Sequence, residues 1–420
     1  MREMKNSGVE WIGQIPKDWD VVPHKRVMHK VKEICVQYNG EDIISLTMNG
    51  VIKRDLAAGG KMPTSFDGYQ YVKPNDLLLC LFDIDVTPRC VGVVKDYGVT
   101  SPAYSRFIMH DGYYNAYYDY LLRAIDDDKV FVHLSKNLRS SLTESDFGAI
   151  KTCVPSLAEQ ERIAAFLDAE CAEIDAVLEK TRASIEEYKK LKQAVITQAV
   201  TKGIRGDRPM KDSGIEWIGD IPAEWSVVRI KNLFDYRNER NFRPLDEVNL
   251  ISLYTDKGVV QHCDLEETTG NKASNADGYK LVYENDIVVN IILCWMGAIG
   301  RSAYCGVTSP AYDVYSPKQG INSKFYHYLF RTNGFSGDCY KVGRGIMAMR
   351  WRTYSDQFRA IKAVFPSQSE QEEIIKYLDE KCAGIDALIT KKQQYLTEIE
   401  NYKKSLIYEY VTGKKEVHPL

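Results

Sequence analysis

Apolar positions give the chain two alternating textures. Beyond Ser156 they fall at Ile163, Leu167, Cys171, Ile174, Leu178, Ile185 and the amphipathic Tyr188, with spacings of 4, 4, 3, 4, 7 and 3. Beyond Ser367 the same spacings return at Ile374, Leu378, Cys382, Ile385, Ile389, Leu396 and Ile399. This is close to a heptad seam, broken once in each stretch, at Thr181 and at Lys392. Ser156 with Glu159, and Ser367 with Glu370, each fit the S-x-x-E capping box directly after a proline. No proline occurs between Ser156 and Thr201. The pattern predicts two long helices, and at about 1.5 Å per residue ~43 residues make a rod of roughly 65 Å. A single apolar stripe of that length is not covered by one small domain. The natural partner of each rod is the other, and two rods separated by a folded domain pair most simply antiparallel. Packing of each helix along its own domain is the alternative, which the sustained 4-3 rhythm opposes.

Ahead of each rod lie short apolar runs split by Gly, Pro, Asn and Asp. "DLLLCLFDIDV" from Asp76, "CVGVVKD" from Cys90 and "DIVVNIILCW" from Asp286 predict strands. "YNAYYDYLLRAI" from Tyr114 and "SKFYHYLFRT" from Ser323 predict helices. The two halves also repeat in their letters. Lys5–Val22 matches Lys211–Val228 at 12 of 18 positions, with "EWIG-x-IP-x-x-W" in both. "GVTSPAY" at Gly98 returns unchanged at Gly306, and "PSLAEQERIAAFLDAECAEIDA" from Pro155 returns as "PSQSEQEEIIKYLDEKCAGIDA" from Pro366. The offset drifts between 206 and 211, as small loop insertions would make it. The period is too long for a solenoid and describes a duplicated two-part module. The fold class is therefore α/β (α+β) domains, duplicated, joined by two long helices that form an antiparallel coiled coil. The expected boundaries are 1–155 and 204–366 for the domains, and 156–203 and 367–420 for the helices.

Composition narrows the function. With 44% hydrophobic and 27% charged residues the chain is ordinary globular material. A net charge of -3 means that binding of a polyanion must come from local patches. The ten cysteines form no C-x-x-C pair and fit no zinc spacing, so they read as reduced core thiols. No apolar run approaches ~20 residues, and the N-terminus is polar, so a soluble cytoplasmic protein without a membrane partner is expected.

Taken together, the doubled "EWIG-x-IP-x-x-W", "TSPAY" and "P-x-x-x-EQ" motifs (Pro155, Glu159, Gln160; Pro366, Glu370, Gln371), each in the same order before a long helix, resemble the specificity (S) subunits of type I restriction–modification systems. The resemblance covers essentially the whole chain. It implies two target-recognition domains, each reading one part of a split double-stranded DNA target. It implies a coiled coil that spaces them, with methylation (M) subunits docking on the coiled coil and the recognition domains. It also implies no catalysis in this chain: S-adenosylmethionine sits on the methylation subunits, and ATP and Mg²⁺ on the motor–nuclease (R) subunits. In this light the two "WIG-x-IP-x-x-W" segments are structural, with Trp11, Trp19, Trp217 and Trp225 pinning the chain start of each half to its domain.

The motifs that chemistry would need are missing from the sequence. There is no Pro-Pro, hence no adenine-methyltransferase N/D-P-P-Y/F motif, and no G-x-x-x-x-G-K-[ST] loop. "GRGIMA" at Gly343 lacks the preceding strand and following acid of a dinucleotide fingerprint. The serine of "GVTSPAY" has no G-x-S-x-G elbow, and Ser101-Pro102 and Ser309-Pro310 read as turns. The seven histidines make no metal cluster.

DNA contact asks for Lys and Arg on phosphates and for Arg, Lys, Asn or Gln at base edges. The best patch is Tyr340–Lys362, where Lys341, Arg344, Arg350, Arg352, Arg359 and Lys362 face one acid, Asp356, with Met349 and Trp351 interleaved. Gly343 and Gly345 allow close backbone approach there. The matching stretch of the first half is His133–Lys151, with Lys136, Asn137, Arg139, Ser140 and Ser141 as readers; Arg139 aligns with Arg350 at the offset of 211. Secondary candidates follow the two "ISL" runs: Lys53, Arg54 and Lys61, then Lys257, Gln261 and His262. Arg89 and Trp295 are further positions near the middle of each domain. A coiled-coil adaptor without a DNA role is the competing function, opposed by the basic patch; a self-sufficient restriction or methylation enzyme is opposed by the missing motifs.

Overall fold

The computed structural model describes residues 2–47, 50–56, 63–87, 91–127, 129–135, 140–262, 275–345 and 351–417. The chain divides into two compact units, Met1–Arg182 with Gln394–Leu420, and Ala183–Gln393. The helices among the described residues are α1 (Asn115–Asp127), α2 (Val130–Leu134), α3 (Glu144–Ala149), α4 (Leu157–Lys202), α5 (Ser323–Phe330), α6 (Asn333–Val342), α7 (Ser355–Ala360) and α8 (Gln368–Val411). None of these is long and apolar enough to cross a membrane.

Each unit is built on a four-stranded antiparallel sheet. In the first its order is Met28–Val31, Ser105–Met109, Leu77–Leu79, Val91–Val93. In the second it is Phe234–Arg237, Tyr312–Pro317, Ile287–Asn290, Ile299–Arg301. The central strand is covered on both faces. Leu77 and Leu79 join α1 in the main core, whereas Leu78 turns to a second cluster with Ile44 and Val51. Ile287 and Val289 likewise face α5, and Val288 faces Ile251 and Leu253. Burial of both faces is why these runs carry no alternation. The strands are shorter than the apolar runs that predict them. After Asn290 the Asn side chain accepts the Ile292 N–H at 3.0 Å, and the chain enters a 3₁₀ turn, Cys294–Met296.

"GVTSPAY" is a packing device in both units. A Cβ at Gly98 would overlap the carbonyl oxygen of Asp42, and one at Gly306 that of Asn249. The threonine hydroxyls then donate to Ile44 O at 2.7 Å and to Ile251 O at 3.0 Å. The serines turn the chain as expected, each receiving the N–H two residues on, from Ala103 and from Ala311, at 3.3 Å.

The long helices run antiparallel within each unit. In the first, Asp175 pairs with Lys403 and Arg182 with Glu400, both at 2.6 Å. In the second, Lys192 pairs with Asp386 at 2.6 Å, and the Lys392 ammonium lies over the Tyr188 ring at 5.7 Å. The two seam breaks thus have different solutions. Thr181 is buried, its hydroxyl returned to Val177 O at 2.8 Å, and Lys392 uses an aromatic face. Apolar burial also extends past the predicted seam, to Ile196, Ala199 and Val200 and to Leu406, Ile407 and Val411, whereas Ile389, Leu396 and Ile399 are only half-buried.

The capping boxes need correction. Ser156 and Ser367 do cap the N–H of Glu159 and Glu370, at 3.3 and 3.4 Å. The glutamates, however, do not reach back to the cap. Glu159 receives the Trp19 indole N–H at 2.9 Å and Arg2 at 2.5 Å. Glu370 receives the Trp225 indole at 2.8 Å and Arg208 at 2.6 Å. Each arginine also covers its tryptophan ring, at 5.7 and 5.5 Å. The neighbouring glutamines finish the clasp: Gln160 accepts Tyr114 N–H and donates to Pro155 O, and Gln371 accepts Asn322 N–H and donates to Pro366 O. Trp19 and Trp225 are 1% exposed. The repeated opening segment is therefore a lock between the start of each domain and the start of its long helix, as the structural reading of the tryptophans expects.

Candidate nucleic-acid interface

In the second unit the reader candidates gather at the end of α6. The helix is capped by the Thr332 hydroxyl, which accepts Phe335 N–H at 3.3 Å, and Phe335 and Cys339 sink its inner face into the core. Tyr340 and Lys341 are left outside. Beyond the helix, Arg344 and Arg352 form a two-sided backbone bridge, N–H to O at 2.8 and 2.9 Å. Trp351 donates its indole N–H to Tyr340 O at 3.2 Å and stacks on the Tyr340 ring at 4.9 Å. Thr353 ties this stretch to the helix, its hydroxyl donating to Cys339 O at 2.9 Å. The close approach allowed by Gly343 is used internally, because a Cβ there would strike the Trp351 indole. Lys341, Arg344, Trp351 and Arg352 are thus brought together. Arg350 and Met349 lie outside the described residues.

The linear basic run is otherwise divided. Arg359 sits half-buried on α7, and Lys362 starts a strand paired with Ser226–Arg229. Lys341 itself is engaged by Glu216 at 2.9 Å, which holds its ammonium above the ordinary lysine range. The pair is exposed, so it is worth little and exchanges readily for a phosphate.

The secondary candidates sit on matching hairpins. Ile44–Thr47 pairs with Gly50–Lys53, and Ile251–Tyr254 with Gly258–Gln261. Each hairpin rests on a strand that carries a glycine, Gly92 under Val51 and Gly300 under Val259. Lys53 is exposed and pairs with Asp42 at 2.7 Å. The Arg54 backbone is tied to Ile43 O at 2.8 Å. Lys257 lies over Tyr254 at 5.8 Å, and Gln261 accepts the Asn249 amide at 3.0 Å. In the first unit's reader stretch, Ser140 and Ser141 are half-buried. Ser140 has φ 44°, and its carbonyl accepts Ile84 N–H at 3.1 Å, which pins Ser140 to the turn after Leu81. Lys136, Asn137 and Arg139, like Lys61 and Arg89, lie outside the described residues.

No family model matches the chain. Among curated proteins, the putative type I restriction enzyme MjaX specificity subunit of Methanocaldococcus jannaschii is 24% identical over 445 residues, spanning 97% of this chain and 96% of that protein. The type I restriction enzyme EcoDI specificity subunit of Escherichia coli is 25% identical over 303 residues, 65% of this chain and 64% of its own length. A solved chain from work on complex assembly and conformational transition of the type I R-M system superposes with a TM-score of 0.70 at 12% identity, over 96% of this chain and 99% of that one. The crystal structure of the HsdS subunit from Thermoanaerobacter tengcongensis gives 0.52 at 14% identity, over 96% and 98%. The chain resembles type I specificity subunits in sequence and in fold. The fold is the expected one: duplicated α/β domains with two long helices, antiparallel where they pair within each unit.

Against that background two groups of residues stand out that sequence reasoning did not assign. One is the clasp pair Arg2 and Arg208. They occupy equivalent positions at the offset of 206, just ahead of the aligned block that starts at Lys5, and that offset was the available signal. The other is the exposed Met296, which joins Tyr340 and the already-named candidate Trp295 in one surface. Its signal was a Trp-Met pair at the end of a run predicted as strand.

Proposed function

We propose that the chain is the DNA-reading specificity subunit of a type I restriction–modification complex, without chemistry of its own. The observation that carries this is the resemblance to a specificity subunit over 97% of the chain and 96% of the relative. In this reading 1–155 and 204–366 are target-recognition domains, and 156–203 and 367–420 are the spacer helices. Lys341, Arg344, Arg350, Trp351 and Arg352 serve one half-site. Lys136, Asn137, Arg139, Ser140 and Ser141 serve the other. The hairpin residues Lys53, Arg54, Lys61, Lys257 and Gln261 flank them. The two reader surfaces differ in sequence, so the target is bipartite and asymmetric. Methylation subunits carrying S-adenosylmethionine dock on the helices and domains, and motor–nuclease subunits supply ATP- and Mg²⁺-dependent cleavage, all in the cytoplasm. Docking on the helices is supported by large apolar side chains left between 40% and 55% exposed: Val177, Tyr395 and Tyr402 in the first unit, Leu191 and Leu388 in the second. They recur at multiples of seven, one position before the seam, so each helix turns them to one flank.

The test is a genome-wide map of methylated adenines with and without the chain, and with Arg344→Ala. Loss of a bipartite methylation pattern on deletion is expected. If Arg344 meets a base, its variant relaxes one half-site only. If it meets phosphate, methylation falls evenly and the salt dependence of binding becomes shallower. An unchanged map on deletion, the outcome for a mere coiled-coil adaptor, or methyl transfer by the purified chain alone, overturns the proposal.

A further inference from the structure

We propose that the second unit reads an apolar base edge, the 5-methyl group of thymine, with Trp295, Met296 and Tyr340; this rests on the DNA-reading function above. Cys294 is fully buried and anchors the 3₁₀ turn after the central strand, so the next two side chains turn outward. Trp295 is half-buried and Met296 is 54% exposed. Tyr340, 49% exposed, lies between Trp295 and Trp351, at ring distances of 5.6 and 4.9 Å. With Asn333, Ser336 and Gly337 they line an open hollow of about 430 Å³.

Trp295 packs one side against the core, but Met296 and the outer parts of Trp295 and Tyr340 are left to solvent, and such apolar patches mark binding sites. Its neighbours say what is bound. Lys341 follows Tyr340 on the same helix, and Arg344 is bridged through its backbone to Arg352, the residue after Trp351. A duplex held on these cations by its phosphates brings a groove over the rings. The apolar group a base pair offers in the major groove is the thymine methyl. The first unit is built differently at the same place. Counted from Asn75 and Asn285, Trp295 and Met296 correspond to Asp85 and Val86, both exposed. A carboxylate there suits the cytosine amino group instead, so the two units read different chemistry at one position of a shared frame.

The experiment selects a target from random duplex with the purified chain. Each thymidine is then replaced in turn by deoxyuridine, which removes only the methyl, and binding is followed by fluorescence anisotropy. About a 4-fold loss is expected at one or two positions of one half-site, the worth of one methyl removed from an apolar contact. Trp295→Ala and Met296→Ala should bind both duplexes equally, while Val86→Ala keeps the wild-type discrimination. Where Trp295→Ala fails to fold by circular dichroism, the exposed Met296→Ala decides. Discrimination absent in the wild type, or kept in the Met296 variant, overturns the inference and leaves the DNA-reading function standing. Failure to select any target from the pool overturns the function itself, and the inference with it.

Discussion

Replacing Glu370 by glutamine removes one negative charge from the second clasp and little else. The amide is close in volume, so no cavity opens, and its oxygen still accepts the Trp225 indole N–H. What is lost is the partner of Arg208, whose side chain is 10% exposed beside a glutamate that is 1% exposed. Removing one member of a buried pair costs about 3–5 kcal/mol, because the other charge stays behind without its partner. Arg208 keeps two other acceptors, the exposed Glu224 at 2.8 Å and Lys202 O at 2.9 Å, which pulls the expectation to about 2–3 kcal/mol. Glu370→Ala also strands the indole N–H and should cost about 3–5 kcal/mol. The first clasp supplies an internal control. Glu159 and Arg2 are 11% and 23% exposed, and Arg2 retains Asp18 at 2.5 Å, so Glu159→Gln should cost only about 1–2 kcal/mol. Urea unfolding of the full chain at neutral pH, followed by tryptophan fluorescence, measures both. A Glu370→Gln loss under about 0.5 kcal/mol, or a Glu159→Gln loss as large as the other, would refute the assignment of the clasp as a buried charge pair.

Two further outcomes are expected. His24 and His327 are held neutral chiefly by burial, down to about 4 and about 3. The unfolded chain protonates them below about pH 6.5. Stability is therefore full above that pH and falls as pH drops toward 4 and 3, by about 1.4 kcal/mol per pH unit for each; urea midpoints at pH 7 and 5 check this, and His327→Gln should lessen the drop. Leu178 is 4% exposed, so Leu178→Glu should lower stability by about 3 kcal/mol or more, whereas the half-buried Ile389→Glu should cost about 1 kcal/mol; thermal unfolding by circular dichroism separates them.

The helices were legible because a seam repeats locally, and each residue of it reports on the same face. Strand ends were not, because Leu77–Leu79 and Ile287–Asn290 are covered on both sides and an apolar run carries no mark where the ladder stops. Ser156-x-x-Glu159 reads as a capping box within four residues, yet the carboxylate is claimed by an indole 140 residues away in sequence. The basic run Tyr340–Lys362 looks continuous in sequence, but it is divided between the end of α6, the Arg344–Arg352 bridge, α7 and a strand, so only part of it can present one surface.

The helix ends show why the duplication is more than two like domains in tandem. In the first unit, the end of α8 brings Leu406, Ile407 and Val411 into the core beside Ile12 and Trp19. Val411 O receives the Tyr117 hydroxyl at 2.7 Å, and Lys414 donates to Ile12 O at 2.6 Å. In the second unit, the end of α4 does the same with Ile196, Ala199 and Val200 beside Ile221 and Trp225, and Lys202 donates to Ile218 O at 2.8 Å. Ile12 and Ile218 are equivalent at the offset of 206, so the two tails fill equivalent sockets. A chain ending at Gly203 keeps the first unit's socket and loses the tail that fills it. Burying three such side chains is worth about 1.5–3 kcal/mol each, an amount comparable to the whole stability of a small domain. That shortened chain still carries the other tail, Ile196–Lys202, which fits a socket of the same design. Two copies should therefore exchange tails and form a dimer, visible by light scattering, and Val200→Glu should dissociate and unfold it. A shortened chain that stays monomeric and folded at micromolar concentration would show that the tail is dispensable to the first unit's core.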